Sequence, residues 1–200
     1  MANISAFKAN MIGGGARPNQ FRVDLSFPSF VLGGAGALAG LHAQFLCKAA
    51  TLPAATIDNI QTFYRGRQVN FAGERSFQPW NISVYNDTTF SIRNAFEVWS
   101  DGVLNMASTA GKMSPLDYQT DMQVVQLDRN NLEIKTYTFH DVYPTNIGAI
   151  QLDYQANNDI EIFDVEFHYN YWTSNTSSGS SPIGATVSIN TPLGTIGGGV

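Results

Sequence analysis

Phe163-Asp164-Val165-Glu166-Phe167-His168-Tyr169-Asn170-Tyr171 alternates one residue at a time between large apolar and polar side chains. Only a β-strand puts successive side chains on opposite faces, so this period of two predicts one strand with Phe163, Val165, Phe167, Tyr169 and Tyr171 facing a core. The same alternation recurs outward along the chain. Phe21, Val23 and Leu25 alternate with Arg22 and Asp24, and Trp80, Ile82 and Val84 alternate with polar neighbours. Phe63 to Val69 reads as a tight hairpin with Arg65-Gly66 at its turn, and Met122–Leu127 with Leu132–Phe139 flank a second turn at Asp128-Arg129-Asn130-Asn131. The Gly33–Gly40 stretch is expected to be a long flexible loop between the first strand and a second beginning at Phe45-Leu46-Cys47. One segment has a helical period: Ile92, Ala95, Phe96, Trp99 and Val103 share a face, with Asn86-Asp87-Thr88 as capping candidates, predicting a helix over about residues 88–101. The fold class is therefore mainly β, with one helix whose apolar stripe covers an open face of the sheets.

Composition supports a single domain. The chain has 200 residues, 44% hydrophobic and 14% charged, with 18 glycines and 8 prolines. A chain of this size buries about 70% of its extended surface, enough for one core. Cys47 is the only cysteine, which excludes an internal disulfide framework and a cysteine-based zinc cage and suits a reducing cytoplasm. No apolar run reaches the roughly 18 residues of a membrane span, and residues 1–16 lack the pattern of a Sec signal. Residues 1–15 and 173–200 are rich in small and polar residues, and the latter carry no charge. Both are expected to be flexible in the free subunit, leaving 16–172 as the folded domain.

Charge is asymmetric. The net charge is −5, which disfavours a protein that grips a duplex. Residues 17–116 are slightly basic, whereas 117–172 hold ten of the sixteen carboxylates and only Arg129 and Lys135 as cations. Such a block is either a solvated acidic face or a surface that meets a basic neighbour.

No catalytic or metal constellation stands out. Gly34–Ala39 fits a relaxed dinucleotide pattern but lacks the strand–helix alternation of a Rossmann unit. Gly111-Lys112 lacks the rest of a phosphate loop. His42, His140 and His168 have acidic neighbours at most, and the pairs Glu161/Asp164 and Glu133/Asp141 have no spacing that places them as an acid and a base. The residues themselves point to no catalytic, cofactor or metal site. The aromatic residues lack the interleaved cations of a nucleic-acid stacking platform, which favours core and interface packing.

The chain resembles the tail tube proteins of contractile-tailed bacteriophages of the T-even type. The resemblance rests on segments in order from Ala16-Arg17-Pro18-Asn19-Gln20-Phe21, through Cys47–Ala54, Val69–Phe77 with Trp80, and Asn86-Asp87. It continues through Tyr143–Gly148, Leu152-Asp153-Tyr154 and Asn157-Asn158 to Tyr171-Trp172. The glycine-rich loop at 28–40 and the tail at 173–200 are longer than the family pattern. The resemblance implies a mainly β subunit, a β-sandwich or half-barrel with one flanking helix, assembled as hexameric rings stacked head to tail, whose sheets join into an inner multi-subunit β-barrel around a channel for DNA ejection. It implies as partners further copies of the chain, a tail sheath protein, a tape measure protein in the lumen, baseplate and tail terminator proteins, and DNA in transit without sequence-specific binding. No cofactor is implied. Its location would be the phage tail of the virion, after synthesis in the host cytoplasm. Arg65 and Arg67 in the first hairpin and Glu133 and Lys135 in the second are the candidates for channel lining or subunit contact. Tubes of related injection systems and baseplate tube initiators are alternatives on the same fold; a carbohydrate-binding β-sandwich of a virion surface is a more remote one.

Overall fold

Apolar alternation produces sheets whose inner faces must be covered, and helices cover what the strands leave open. The computed structural model describes residues 3–11, 14–33, 37–111 and 114–176. In chain order the elements are α1 (Ile4–Asn10), β1 (Phe21–Asp24), α2 (Ser29–Val31), α3 (Ala37–Leu46), β2 (Cys47–Ala50), β3 (Ala55–Tyr64) and β4 (Arg67–Phe77). They continue with β5 (Trp80–Tyr85), α4 (Ser91–Val103), α5 (Pro115–Tyr118), β6 (Thr120–Leu127), β7 (Glu133–Ile147), β8 (Ile162–His168) and β9 (Tyr171–Ser174). Seven strands form one antiparallel system in the order β1-β6-β7-β8-β5-β2, with β9 added to β7. β3 and β4 form a separate two-stranded sheet.

β7 holds the system together. Its first part pairs with β6 and β9, and its last part, from Tyr143, pairs with β8. The switch falls at Asp141, whose φ of 59° interrupts the extended backbone. There the register with β6 shifts between Thr120 and Met122, a bulge that bends the strand and turns the sheet. The Asp141 N–H donates to Asp121 Oδ1 at 3.2 Å, and Asn170 donates both to His140 O at 3.1 Å and to the Asp141 carboxylate at 2.9 Å. These bonds hold the corner.

The same corner corrects the reading of residues 163–171 as one strand. Phe163, Val165, Phe167 and Tyr169 do face the core, but the strand stops at His168. Beyond Asn170 the chain restarts as β9 on the other half of β7, so Tyr171 turns outward and stacks on His140 at 4.5 Å. β9 runs to Ser174, which is buried, two residues past the expected end of the domain.

The core lies between the curved sheet and the helices. Trp80 stacks on Phe139 at 4.4 Å and on Phe167 at 5.2 Å, joining the two halves of the sheet system. Phe167 meets Phe96 of α4 edge-on at 5.6 Å, and Phe27 packs against Phe96 and Trp99. The two buried indoles each keep a hydrogen bond, Trp80 Nε1 to Thr51 O at 2.9 Å and Trp99 Nε1 to Tyr118 O at 2.8 Å. Burying each such ring contributes on the order of 2–3 kcal/mol.

Ile92, Ala95, Phe96 and Trp99 are the buried stripe of α4, as the helical spacing requires. The helix starts three residues later than expected. Asp87 still caps it, its carboxylate accepting from the Ser91 N–H at 2.9 Å and the Ser91 hydroxyl at 3.0 Å across a turn closed by the Phe90 N–H to Asp87 O. Phe90 occupies the cap position itself, with φ 53°. Near the end of α4, a Cβ on Gly102 would lie 2.2 Å from the Phe30 ring, so only glycine lets α2 pack here.

Residues 28–40 contain helix where a flexible loop was expected. α2 and α3 occupy much of the stretch, and residues 34–36 lie outside the described residues. α3 runs through Phe45 and Leu46, so the second strand begins only at Cys47. Ala39 and Ala43, four residues apart and fully buried, let α3 pack against β1, β2, β5 and α4. Ala and Leu at most positions of α3 favour helix, so it forms despite Gly40, and burial of Ala39 and Ala43 fixes it in place. Residues 1–15, expected to lack structure, include α1, all of it exposed; residues 1, 2, 12 and 13 and the tail from 177 lie outside the described residues.

Candidate assembly interface

A strand with apolar side chains and no neighbour is unfinished, and β3–β4 is such an element. Every residue of β3 is exposed, and β4 has only Val69, Gly73 and Phe77 partly covered. The turn is as read from the sequence: Arg65 and Gly66 have φ of 49° and 78°, the pair of positive values a tight two-residue hairpin needs. Register pairs Ile60 with Phe71, Thr62 with Val69 and Tyr64 with Arg67, which places these side chains on one face. Asn59, Gln61 and Asn70 occupy the opposite face with Phe63 and Gln68, where Asn70 Oδ1 accepts from Gln68 at 3.0 Å and from Asn59 at 3.2 Å. Thus one side of the arm is apolar with a terminal arginine, and the other is mainly amide. Ile60, Phe63, Tyr64 and Phe71 are each more than half exposed.

The structure separates the four residues singled out in the sequence. Arg65 and Arg67 are exposed at the tip of the arm, where the Arg65 guanidinium lies 5.4 Å from the centre of the Tyr64 ring. Glu133 and Lys135 sit at the start of β7, in the body. Glu133 accepts from Arg22 at 2.9 Å, and Arg22 also binds Asp24 at 3.1 Å. Glu133 is the chief cause that holds the Arg22 pKa above its ordinary value. Lys135 donates to Thr176 Oγ1 and lies 5.5 Å from the centre of the Tyr137 ring. Glu133 and Lys135 therefore tie β7 to β1 and to the end of β9.

The histidines have structural partners. His42 lies 3.2 Å from Ser91 Oγ, and His168 approaches Glu166 at 4.0 Å. His140 contacts Asp121 through Nδ1 and Thr173 Oγ1 through Nε2, both at 2.9 Å. The hairpin register, not adjacency in the chain, supplies this partner, setting Asp121 opposite the bulge. Counting outward from the Asp128–Asn131 turn sets Asp121 opposite Thr138 instead; the register shift between Gln126 and Leu127, which the sequence does not announce, brings it to His140. Among the described residues, no group of three His, Cys, Asp or Glu side chains could hold a metal ion.

Cys47 begins the edge strand β2. Burial of the thiol pushes its pKa up to about 12, against a smaller opposing effect of the Ala49 backbone. Among the described residues β2 has no partner strand beyond β5, and β1 likewise ends the order on the other side. Free strand edges together with an exposed arm define a class: a structural subunit made to join other subunits.

Comparison with known proteins gives that class its family. The phage tail tube protein family matches residues 16–175. Tail tube protein gp19 of Enterobacteria phage T4 is 31% identical over 158 residues, covering 78% of this chain and 90% of that protein. The tail tube protein of Serratia phage KSP90 is 29% identical over 171 residues, covering 84% and 95%. The chain belongs to the phage tail tube protein family: it is a structural tube subunit and a component of the virion. Solved structures share the fold at low identity. A chain of the anti-feeding prophage tube-terminating cap superposes with a TM-score of 0.55 at 13% identity, covering 80% of this chain and 90% of that one. A chain of the sheath–tube complex of the extracellular contractile injection system PVC gives 0.52 at 12%, covering 87% and 98%. No helix among the described residues is long and apolar enough to cross a membrane.

Proposed function

We propose that six copies of this chain close into a ring, that rings stack head to tail, and that the joined sheets line a conduit through which DNA passes into the host. One observation carries the proposal: among the described residues the β3–β4 arm pairs with no further strand, and it is exposed along nearly its whole length. An isolated two-stranded hairpin is at best marginally stable in water, and free edges attract further strands. Partners from neighbouring copies satisfy both needs. An arm on one side of a subunit and a receiving surface elsewhere make a heterologous contact, which generates rings when it closes and filaments when it repeats. Fold relatives come from a six-fold symmetrised baseplate of the anti-feeding prophage and from the sheath–tube and terminator assemblies of PVC, which supports the same mode of assembly. In this reading a sheath surrounds the tube, baseplate and terminator proteins hold its ends, and a tape measure protein fills the lumen before DNA.

The subunit acts as a passive wall. The work of injection comes from contraction of the sheath, so the chain needs no nucleotide, cofactor or metal. The bore is net acidic and repels phosphate over a screening length of about 8 Å, so DNA slides without adhering. Support comes from β6 and β8, whose solvent-facing positions carry Asp121, Asp164 and Glu166 and no lysine or arginine. Arg65 and Arg67 belong to subunit contacts in this scheme. Sedimentation of the purified chain tests the proposal: a six-copy species that grows into longer assemblies supports it, and a monomer at all concentrations refutes it.

A further inference from the structure

Residues 148–161, between β7 and β8, form an irregular loop of a length that in compact domains usually serves a function. Both of its ends are fixed. The Gly148 N–H donates to Asp164 O at 2.7 Å, and Gly148 O accepts from Arg93 at 2.6 Å. At the other end Asn86 donates through its backbone to Glu161 O at 2.9 Å and through its side chain to the Glu161 carboxylate at 2.8 Å. Between these anchors the loop borders a groove of about 700 Å³. Leu152, Tyr154 and Ile160 stand 81%, 104% and 65% exposed along it, more apolar surface than a mere connection needs.

Charge indicates what covers it. The loop holds Asp153, Asp159 and Glu161 and no lysine or arginine. Among the described residues neither Asp153 nor Asp159 is in an ion pair. The tip of the arm is the complement: Arg65 and Arg67 pair with no carboxylate among the described residues, beside the exposed Phe63 and Tyr64.

We propose that the tip of the β3–β4 arm of one copy docks in the 148–161 groove of a second copy. Phe63 and Tyr64 pack against Leu152 and Tyr154, while Arg65 and Arg67 meet Asp153 and Asp159. Apolar contact supplies the attraction, and opposite charge selects this groove over the rest of the surface. This rests on the tube reading above and adds to it the surface that receives the arm.

Site-specific cross-linking tests it. In a Cys47→Ser background, a chain with Arg67→Cys is co-assembled with a chain carrying Asp159→Cys. Disulfide-linked dimers are expected in the assembled fraction and not in the monomer. Separately, Arg65→Glu with Arg67→Glu should raise the concentration needed for assembly by about tenfold, the effect of losing two partly exposed ion pairs. Adding Asp153→Lys and Asp159→Lys to the same chain should lower it again. Tubes that form without the cross-link, or in which Asp159→Cys joins Lys8→Cys of the exposed α1, overturn the docking and leave the tube reading intact. Assembly indifferent to the arginine reversal also overturns it. A natural chain that forms no rings sinks the tube reading itself, and the docking with it.

Discussion

Replacing Trp80 by alanine removes the ring that joins the two halves of the sheet system. Trp80 is 1% exposed, stacked on Phe139 of β7 and Phe167 of β8, and its indole N–H satisfies Thr51 O. Truncating a buried aromatic of this kind costs about 3–5 kcal/mol, because neighbouring rings on opposite halves of the sheet close only part of the cavity. Domains of this size have about 5–15 kcal/mol of stability in all, so Trp80→Ala should leave little or no folded subunit at 37 °C. Trp80→Phe is the informative companion. It keeps a ring between Phe139 and Phe167, loses the indole hydrogen bond and some volume, and should cost about 1–2 kcal/mol. Urea denaturation of subunits held below the assembly concentration, followed by far-UV circular dichroism, measures both without depending on Trp80 fluorescence. A Trp80→Ala midpoint equal to that of Trp80→Phe would refute the reasoning, since it would mean that the stacked ring contributes nothing beyond its hydrogen bond.

Asp87→Ala should cost about 1 kcal/mol through loss of the α4 cap. Desolvation works to raise the Asp87 pKa, but the hydrogen bonds from Thr89 and Ser91 outweigh it and hold the value below the ordinary one. A depressed carboxylate stabilises the fold above its unfolded pKa, near 3.9, and loses that contribution as pH falls through its folded pKa. The gap between natural and Asp87→Ala proteins should therefore narrow on acidification from about pH 5; a gap that stays constant or widens contradicts the cap. Tyr169→Phe should leave stability unchanged or raise it by up to about 1 kcal/mol, because the buried hydroxyl has no partner among the described residues. A marked loss in thermal unfolding would show that the hydroxyl is satisfied in the folded chain. Cys47, with its pKa pushed up to about 12, should react with a disulfide reagent at pH 8 far more slowly in the folded than in the urea-unfolded chain. Equal rates would show that the thiol is not buried.

The strands read from the sequence were legible because each carries a local signal, which Ala55–Thr62 of β3 lacks. Trp80, Ile82 and Val84 alternate, Arg65-Gly66 marks its turn, and α4 shows its stripe from Ile92 to Trp99. What was not legible depends on distant parts of the chain. α3 is itself rich in Ala and Leu, but Gly33, Gly34 and Gly36 before it and Gly40 within it mask that signal, and the packing of Ala39 and Ala43 against β1 and α4 is visible only in the fold. The break between β8 and β9 follows from the Asp141 bulge on β7, about 30 residues upstream in sequence but adjacent in space. In the candidate interface, the Arg65-Gly66 turn was read from the sequence, and the fold puts Arg65 and Arg67 at its exposed tip. Glu133 and Lys135 turned out to bind Arg22 and Thr176 within the body, since ion pairing across strands depends on a register that composition does not reveal. The groove at 148–161 had no periodic signal at all; only the folded loop brings Leu152, Tyr154 and Ile160 to one surface.

The central claim is that the subunit is completed by its neighbours, and cryo-electron microscopy of the purified chain, concentrated until it assembles, tests it most directly. The account predicts stacked rings of constant bore in which each β3–β4 arm is covered by an adjacent copy. It also predicts that carboxylates outnumber lysine and arginine on the channel wall. A population of monomers with the arm still bare, or closed assemblies in which β3–β4 touches no other subunit, would contradict it.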